Sequence, residues 1–334
     1  MDKFRRRQLH ALFAAGALLT APFRAAGQQP GRMYRIGLLS SNLPAKLWRT
    51  VASWSAFLDQ LRLHGYVEGK NLQIEFRSAE GHWDRLPELA AELAGLKLDV
   101  LSGITNPPLL ALQRATRTTP IVIMSHAAVE VGLVTSLARP GGNVTGIDTL
   151  APELDGKRLQ LLRQAMPKAS KIAVLFNPAH DPAMRIHMTQ TEHAASTLGF
   201  SVRPIKLERV EDLDGIFAAL KSDRPDALIA FTDTVTITHR QRIVDFAREQ
   251  RVATMFEFRE FVVAGGLMAY GNNLNDIFRR AANYIHRILE GAKPADLPVE
   301  RPDRYELVIN STVATALGLA LPRSLLLRAD ELIQ

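Results

Sequence analysis

DVLSGITN (residues 99–106) and DALIAFTD (residues 226–233) align without a gap, and reading them as one pattern met twice decides the fold. Each is a short apolar run opened by Asp and closed by Thr plus an amide or carboxylate residue. That is the profile of a buried parallel strand running into the start of a helix. Two further pairs keep the same order: RIGLLSSNLP (35–44) with KIAVLFNPAHDP (171–182), and GNVTGID (142–148) with GLMAYGN (266–272). The offsets of the three pairs, 136, 127 and 124, drift only slightly. Around them, strands are expected at 35–40, 72–76, 99–104, 120–125 and 143–148, and again at 171–176, 201–207, 227–231, 253–256 and 267–270. Amphipathic stretches separate them; one carries Leu86, Leu89, Ala90, Leu93 and Ala94 on one face, with Asp84 as its expected cap. The fold class is therefore α/β, with two doubly wound Rossmann-like lobes of like topology.

Composition narrows the function. The chain has 334 residues, 47% of them hydrophobic, which is too apolar for disorder and enough for two cores. It has no Cys, which rules out a disulfide framework, thiolate zinc and a Cys nucleophile. The formal charge of +7 raises a polyanion partner, but its distribution argues otherwise. Residues 1–27 read as an export signal: Lys3, Arg5, Arg6 and Arg7, then the apolar run ALFAAGALLTAP, then Ala25-Ala26-Gly27 for cleavage. Arg6-Arg7-Gln8-Leu9 also resembles a twin-arginine signal, so Sec and twin-arginine routes both stay open. No Cys follows the apolar run, so the expected product is a periplasmic protein and not a lipoprotein. Without residues 1–27 the balance is 36 basic against 33 acidic, with no basic run interleaved with aromatics, so nucleic acid is not an expected partner.

In doubly wound sheets, ligands lie beyond the carboxyl ends of strands near the topological switch point. The expected strand ends carry Ser40, Ser41 and Asn42, then Thr105 and Asn106, then Ser125; in the second half they carry Asn177, Thr232-Asp233-Thr234, Glu257 and Tyr270. Several precede helices, whose free N–H groups suit a carboxylate or phosphate, and Thr105-Asn106-Pro107-Pro108 is the clearest case. Helix capping explains any one of them as well, and only the set as a whole points to a ligand. Trp48 and Trp54 anchor the first helix, with Trp48 close enough to the first strand's loop to face a ligand.

The motifs of catalysis are missing. Neither first strand is followed by G-x-G-x-x-G, and there is no Walker A loop, H-E-x-x-H or G-x-S-x-G. His180, His187 and His193 are spaced seven and six apart, which suits exposed helix histidines better than metal ligands. Arg139-Pro140-Gly141-Gly142-Asn143 precedes a strand and reads as a tight turn. No cofactor and no metal is expected.

SLARPGGNVTG (136–146), GKRLQLLRQAMPKASKIAVLFNP (156–178), EFREFVVAGGLMAYG (257–271), GAKPADLPVERPDRYELVINSTVATALGL (291–319) and LLLRADELI (325–333) resemble the ABC-transporter substrate-binding proteins of the tryptophan/tyrosine-type uptake group. The resemblance implies a periplasmic-binding-protein fold of type I: two lobes, a three-stranded hinge, and a cleft that closes on a small solute. It places residues 33–149 and 273–304 in lobe 1, and 150–272 and 305–334 in lobe 2. The chain would return to lobe 1 after Gly271 and cross again near 307–310. Two departures stand out: Ala127-Ala128-Val129 where the family has Asp-Pro-Val, and Ala269 where it commonly has Ser. For an amino acid or related carboxylate, Asp233 is the expected partner of the ammonium, with Glu257 second. The ligand carboxylate would rest on Ser40, Ser41, Thr105 and Asn106. The implied partners are the solute and an ABC permease with its ATPase, with the binding protein a monomer and not an enzyme. An exported sensor that presents a solute to a receptor, or less favourably a secreted hydrolase using Asp233 or Glu257 as base, are the alternatives.

Overall fold

Strands buried on both faces need continuous apolar runs, and the chain supplies them at the inner strands of both sheets. A computed structural model describes residues 31–149 and 152–334; the expected export signal lies outside the described residues. In chain order the elements are β1 (Tyr34–Ser40), α1 (Ala52–Leu63), β2 (Leu72–Ser78), α2 (Leu86–Gly95), β3 (Val100–Ile104), α3 (Asn106–Ala115), β4 (Ile121–His126) and β5 (Val144–Thr149). The series restarts with α4 (Asp155–Ala165), β6 (Lys171–Phe176), α5 (Ala183–Thr197), β7 (Ser201–Lys206), α6 (Asp212–Ser222), β8 (Ala227–Ala230), α7 (Thr234–Thr238), α8 (Arg240–Glu249), β9 (Ala253–Phe256), α9 (Arg259–Val263) and β10 (Met268–Gly271). It closes with α10 (Leu274–Leu289), β11 (Glu306–Asn310), α11 (Ser311–Ala316), α12 (Arg323–Leu326) and β12 (Glu331–Ile333).

The first sheet runs β2-β1-β3-β4-β5, all parallel. The second runs β12-β11-β10-β9-β8-β6-β7, so its five parallel members repeat the first order strand for strand. The offsets read from the sequence hold in three dimensions: Val100 opens β3 as Ala227 opens β8, and Val144 opens β5 as Met268 opens β10. β11 adds antiparallel to β10, and β12 adds parallel to β11. Pro204 sits in edge strand β7, where a missing N–H is tolerated.

Each sheet is covered on both faces, so each lobe has two apolar layers. In lobe 1, α1 and α10 cover one face through Trp54, Phe57, Phe278, Ala281 and Ile285, while α2 and α3 cover the other through Leu89, Leu93, Leu109 and Leu112. In lobe 2, α4 and α5 pack through Leu159, Leu162, Met184 and Met188, opposite α6 and α8 through Leu213, Leu220, Ile243 and Val244. Trp48 lies in the first of these cores, 1% exposed and stacked on Phe76 at 5.1 Å, so it does not face the cleft. Asp84 falls in a short 3-10 turn before α2 and makes no cap there.

Three segments run between the sheets: one from β5 to α4, one from β10 to α10, and one from Glu300 to β11. Arg301 in the third donates through Nε to Asp148 at the end of β5 (2.9 Å) and faces Glu153 across the first at 3.4 Å. The same Asp148 accepts from the Ala128 N–H at 2.9 Å. Ala127, beside it, has φ of 53°, a left-handed conformation uncommon for alanine. At the second segment, Gly271 meets Glu257 so closely that a Cβ would lie 2.3 Å from the Glu257 carbonyl oxygen.

Candidate functional site

The switch points of the two sheets, between β1 and β3 and between β6 and β8, face one another, and a cavity of about 350 Å³ lies between them. Its walls are mostly apolar: Leu43, Leu47, Val51 and Trp54 with Leu274, Ile277 and Phe278 on one side, Ile104 and Met124 at the base, Phe258 and Ile237 opposite. Into this surface come a few polar groups, the usual composition of a small-molecule site. Ser40, Thr105, Ser125, Asp233, Thr234 and Glu257 all line it, as do Thr232, His126 and Arg240.

Asp233 precedes α7. Its Oδ1 accepts from the Thr236 N–H at 2.7 Å, and Thr236 Oγ1 accepts from the Asp233 N–H at 2.9 Å, a reciprocal cap. Its Oδ2 is buried and has no hydrogen-bond partner among the described residues. Burial pushes its pKa up to about 6, against the pull of the Thr236 donors and Asn177. The Thr234 Oγ1 and Thr232 Oγ1 beside it are also buried without partners.

Thr105 faces this group from lobe 1. Its φ of 68° and ψ of 163° lie in a region nearly reserved for glycine, at a cost of about 1–3 kcal/mol. Its Oγ1 is buried and unpartnered. Ser40 Oγ accepts from the Leu43 N–H at 3.1 Å, whereas Ser41 is fully buried with a free hydroxyl outside the cavity lining.

Other expected residues are brought near but are already engaged. Asn106 Nδ2 donates to the His126 carbonyl (3.1 Å) and to Asp181 Oδ1 (2.9 Å), and its Oδ1 accepts from Ser125 Oγ at 2.5 Å. Asn42 Nδ2 donates to the Thr234 carbonyl at 3.1 Å. Asn177 Oδ1 accepts from the Ala179 N–H. Tyr270 lies beside Tyr305 with ring centroids 6.0 Å apart, and its carbonyl accepts from Arg158 Nε at 2.9 Å. None of these four lines the cavity.

Behind Glu257 lies a buried charge network that no sequence motif marks. Arg158 Nη1 donates to Asp155 Oδ1 at 2.6 Å and stands 3.6 Å from Glu257 Oε1. His187 corrects its expected exposure: it is 1% exposed, with Nδ1 3.1 Å from Asp155 Oδ2 and 3.9 Å from Glu257. Helical spacing alone could not show that α5 turns this residue inward. Asp155, His187 and Glu257 bring their donor atoms within 4.8 Å of one another, but the guanidinium of Arg158 already serves these carboxylates as cation. The set fits an ion-pair network better than a metal site.

Several contacts cross between the lobes. Besides Asn42–Thr234 and Asn106–Asp181, His126 Nε2 lies 3.2 Å from Asp181 Oδ2. The two atoms form an ion pair only when the imidazole is protonated. Trp83 stacks on His180 with centroids 4.6 Å apart. These contacts bring the two lobes together beside the cavity.

This two-sheet cleft matches the pattern of a known family. Residues 50–333 match the model of the ABC transporter substrate binding proteins. The chain belongs to that family. It is a binding protein, not an enzyme. It is 27% identical over 265 residues to a "Tyrosine-binding protein" of Clostridioides difficile, covering 79% of this chain and 75% of that one. Among solved structures it resembles a conserved domain protein from Vibrio cholerae (27% identity, TM-score 0.82, 90% of this chain and 100% of that one). It also resembles the ABC domain from Streptococcus pneumoniae in complex with L-Trp (23% identity, TM-score 0.81, 90% and 100%). Its fold is that of the type I periplasmic binding proteins, with two Rossmann-like lobes. Substrate-binding proteins work with ABC transporters on small-molecule solutes, and no helix among the described residues is long and apolar enough to cross a membrane.

Proposed function

We propose that the chain captures an amino acid, or a closely related amine-bearing carboxylate, in the interlobe cleft and delivers it to an ABC permease with its ATPase. The observation that carries this reading is the free, buried Asp233 Oδ2 at the wall of an apolar cavity. An ionised carboxylate held there without a cation is costly, and a ligand ammonium offsets the cost. Glu257 is the lesser candidate, because Arg158 and His187 already stand beside it. Thr105, Ser40, Thr232 and Thr234 offer hydroxyls for the rest of the ligand head, Ser125 flanks them, and the Trp54–Phe278 wall accommodates an apolar side chain. Asn42, Asn106 and Asn177 support Thr234, Ser125 and Asp233 from behind, while Ser41 and Tyr270 stand farther from the cavity. The tyrosine and L-Trp named for the two relatives favour the same solute class.

The lobes are taken as 33–149 with 273–304 and 150–272 with 305–334, moving about the three crossing segments. The protein acts as an exported, unlipidated monomer in the periplasm, by the Sec or twin-arginine route. Binding only to the folded, closed form raises the melting temperature by mass action. A thermal-shift panel of the protein amino acids and their deaminated analogues tests the reading, with native mass spectrometry for co-purified solute. A rise of several degrees with amino acids and none with the analogues is expected. No shift across the panel and no bound solute would overturn it.

A further inference from the structure

The contacts between the lobes include one that titrates. Asp181 precedes α5 in lobe 2 and is 5% exposed. One of its oxygens takes the Asn106 amide at 2.9 Å and the Ala183 N–H at 3.0 Å, and the other faces His126 Nε2 at 3.2 Å. Asn106 and His126 both belong to lobe 1, at the ends of neighbouring strands β3 and β4. Opening the cleft must therefore separate a buried carboxylate from an imidazole and an amide together.

We propose that Asp181 latches the closed form by pairing with protonated His126, so that solute capture takes up a proton. This rests on the two-lobe capture reading and adds a regulation to it. Between the open-form and closed-form titration points of His126, the imidazole gains one proton from solvent on closing and returns it on opening.

The groups around His126 agree in sign. Asp181 faces it from the turn before α5, Glu257 from the segment after β9, and Asp148 from β5, while the His187 ring lies edge-on at 5.3 Å from α5. Burial alone would depress the imidazole, but these carboxylates, Asp181 first, outweigh it and hold His126 above its ordinary value. Burial likewise opposes ionisation of Asp181, but His126, Asn106 and the Ala183 N–H keep it below the usual carboxylate value. Two of the three carboxylates, Asp181 and Glu257, move away with lobe 2 on opening, so the open form holds the proton less tightly. The latch contribution is full below the open-form value of His126 and fades as pH rises through its closed-form value. Below the Asp181 value it is lost again.

The chain has no Cys, so Lys46→Cys with Glu208→Cys gives one spin-labelled pair, placed on exposed residues that follow β1 and β7. Pulsed electron-electron distances are recorded on the solute-free protein from about pH 6 to about pH 9. The expected result is a short, closed distance at the acidic end that gives way to a longer one, by up to about tenfold in population per pH unit between the two titration points. In Asp181→Asn and in His126→Gln this pH response disappears, with circular dichroism checking that each variant folds. A wild-type distance that ignores pH, or a response that survives in both variants, overturns the latch. L-tryptophan and L-tyrosine, added as probes, separate the two readings. A pH response with no response to either keeps the latch and counts against amino acid capture; closure on a probe with no pH response keeps capture and sinks the latch.

Discussion

Asn106 and Asp233 occupy equivalent positions in the two lobes, one residue past the Thr that follows β3 and β8, yet they are put to opposite uses. In lobe 1 the side chain is an amide with both polar atoms engaged: Oδ1 by Ser125, and Nδ2 by the His126 carbonyl and Asp181. In lobe 2 it is a carboxylate with one oxygen capping α7 and the other free. The preceding threonines differ too: Thr105 is held at φ of 68°, whereas Thr232 lies outside the left-handed region. On the proposed reading, a duplicated architecture is divided between a closing contact at Asn106 and a ligand contact at Asp233, and the difference of one functional group, amide against carboxylate, separates the two.

Exchanging those groups should give the largest effects. Asn106→Asp sets a second carboxylate against Asp181, where the amide now donates at 2.9 Å. Like charges at that distance and burial destabilise the closed form, so amino acid affinity at neutral pH should fall about tenfold or more. The loss should shrink as the pH is lowered and the pair binds a proton. Isothermal titration at two pH values checks this, and an affinity unchanged at both would break the contrast between the lobes.

The reverse exchange, Asp233→Asn, should stabilise the solute-free protein near neutral pH. Burial pushes Asp233 up to about 6, so between the ordinary Asp value and about 6 the folded chain keeps a proton that the unfolded chain has released, and above that range it carries the full cost of a buried charge. Folding therefore loses stability as pH rises from the ordinary Asp value through about 6, by a total of about 3 kcal/mol at most. An amide does not ionise and escapes that cost. The melting temperature of the variant should exceed the parent's at about pH 7.5 and the gap should close near about pH 4. A gap of the opposite sign would mean that Asp233 has a cation partner in the free protein.

The smallest effect belongs to Thr105. Thr105→Gly relieves a conformation costing about 1–3 kcal/mol, offset in part by the added freedom of the unfolded chain. Stability should rise by about 1 kcal/mol, read from denaturant midpoints, while amino acid affinity drops through loss of the hydroxyl.

Much of this was legible in the sequence, for physical reasons. Parallel strands buried on both faces are bound to be apolar runs, and all ten expected strands fall within two residues of those observed, although the edge strands β2 and β7 are only partly buried or exposed. The repeat placed Thr105 and Asp233 at corresponding strand ends, and the switch-point rule aimed both at one cleft. What it could not reach were relations between side chains distant in the chain. Asp181 and Asn106 are 75 residues apart and meet only because the lobes close. His187 looked exposed because seven- and six-residue spacings say nothing about which helix face meets Glu257. Arg158 gave no signal at all: a lone Arg in a helix is ordinarily a surface residue, and here it is 2% exposed between two carboxylates. The Asp-Pro at 181–182 was the one available hint, since an acid before a helix-starting Pro after a strand end lies where ligands and partner lobes gather.

Amino acid capture as proposed depends on Asp233 Oδ2 receiving a ligand ammonium, and one thermodynamic cycle tests that contact directly. Isothermal titration compares L-tryptophan with 3-indolepropionate, and L-tyrosine with 3-(4-hydroxyphenyl)propionate, on the parent protein and on Asp233→Asn. The ammonium should be worth about 2–5 kcal/mol of affinity to the parent and nearly nothing to the variant. If the parent and Asp233→Asn prefer the amine-bearing ligand by the same factor, Asp233 is not the partner of the ligand ammonium.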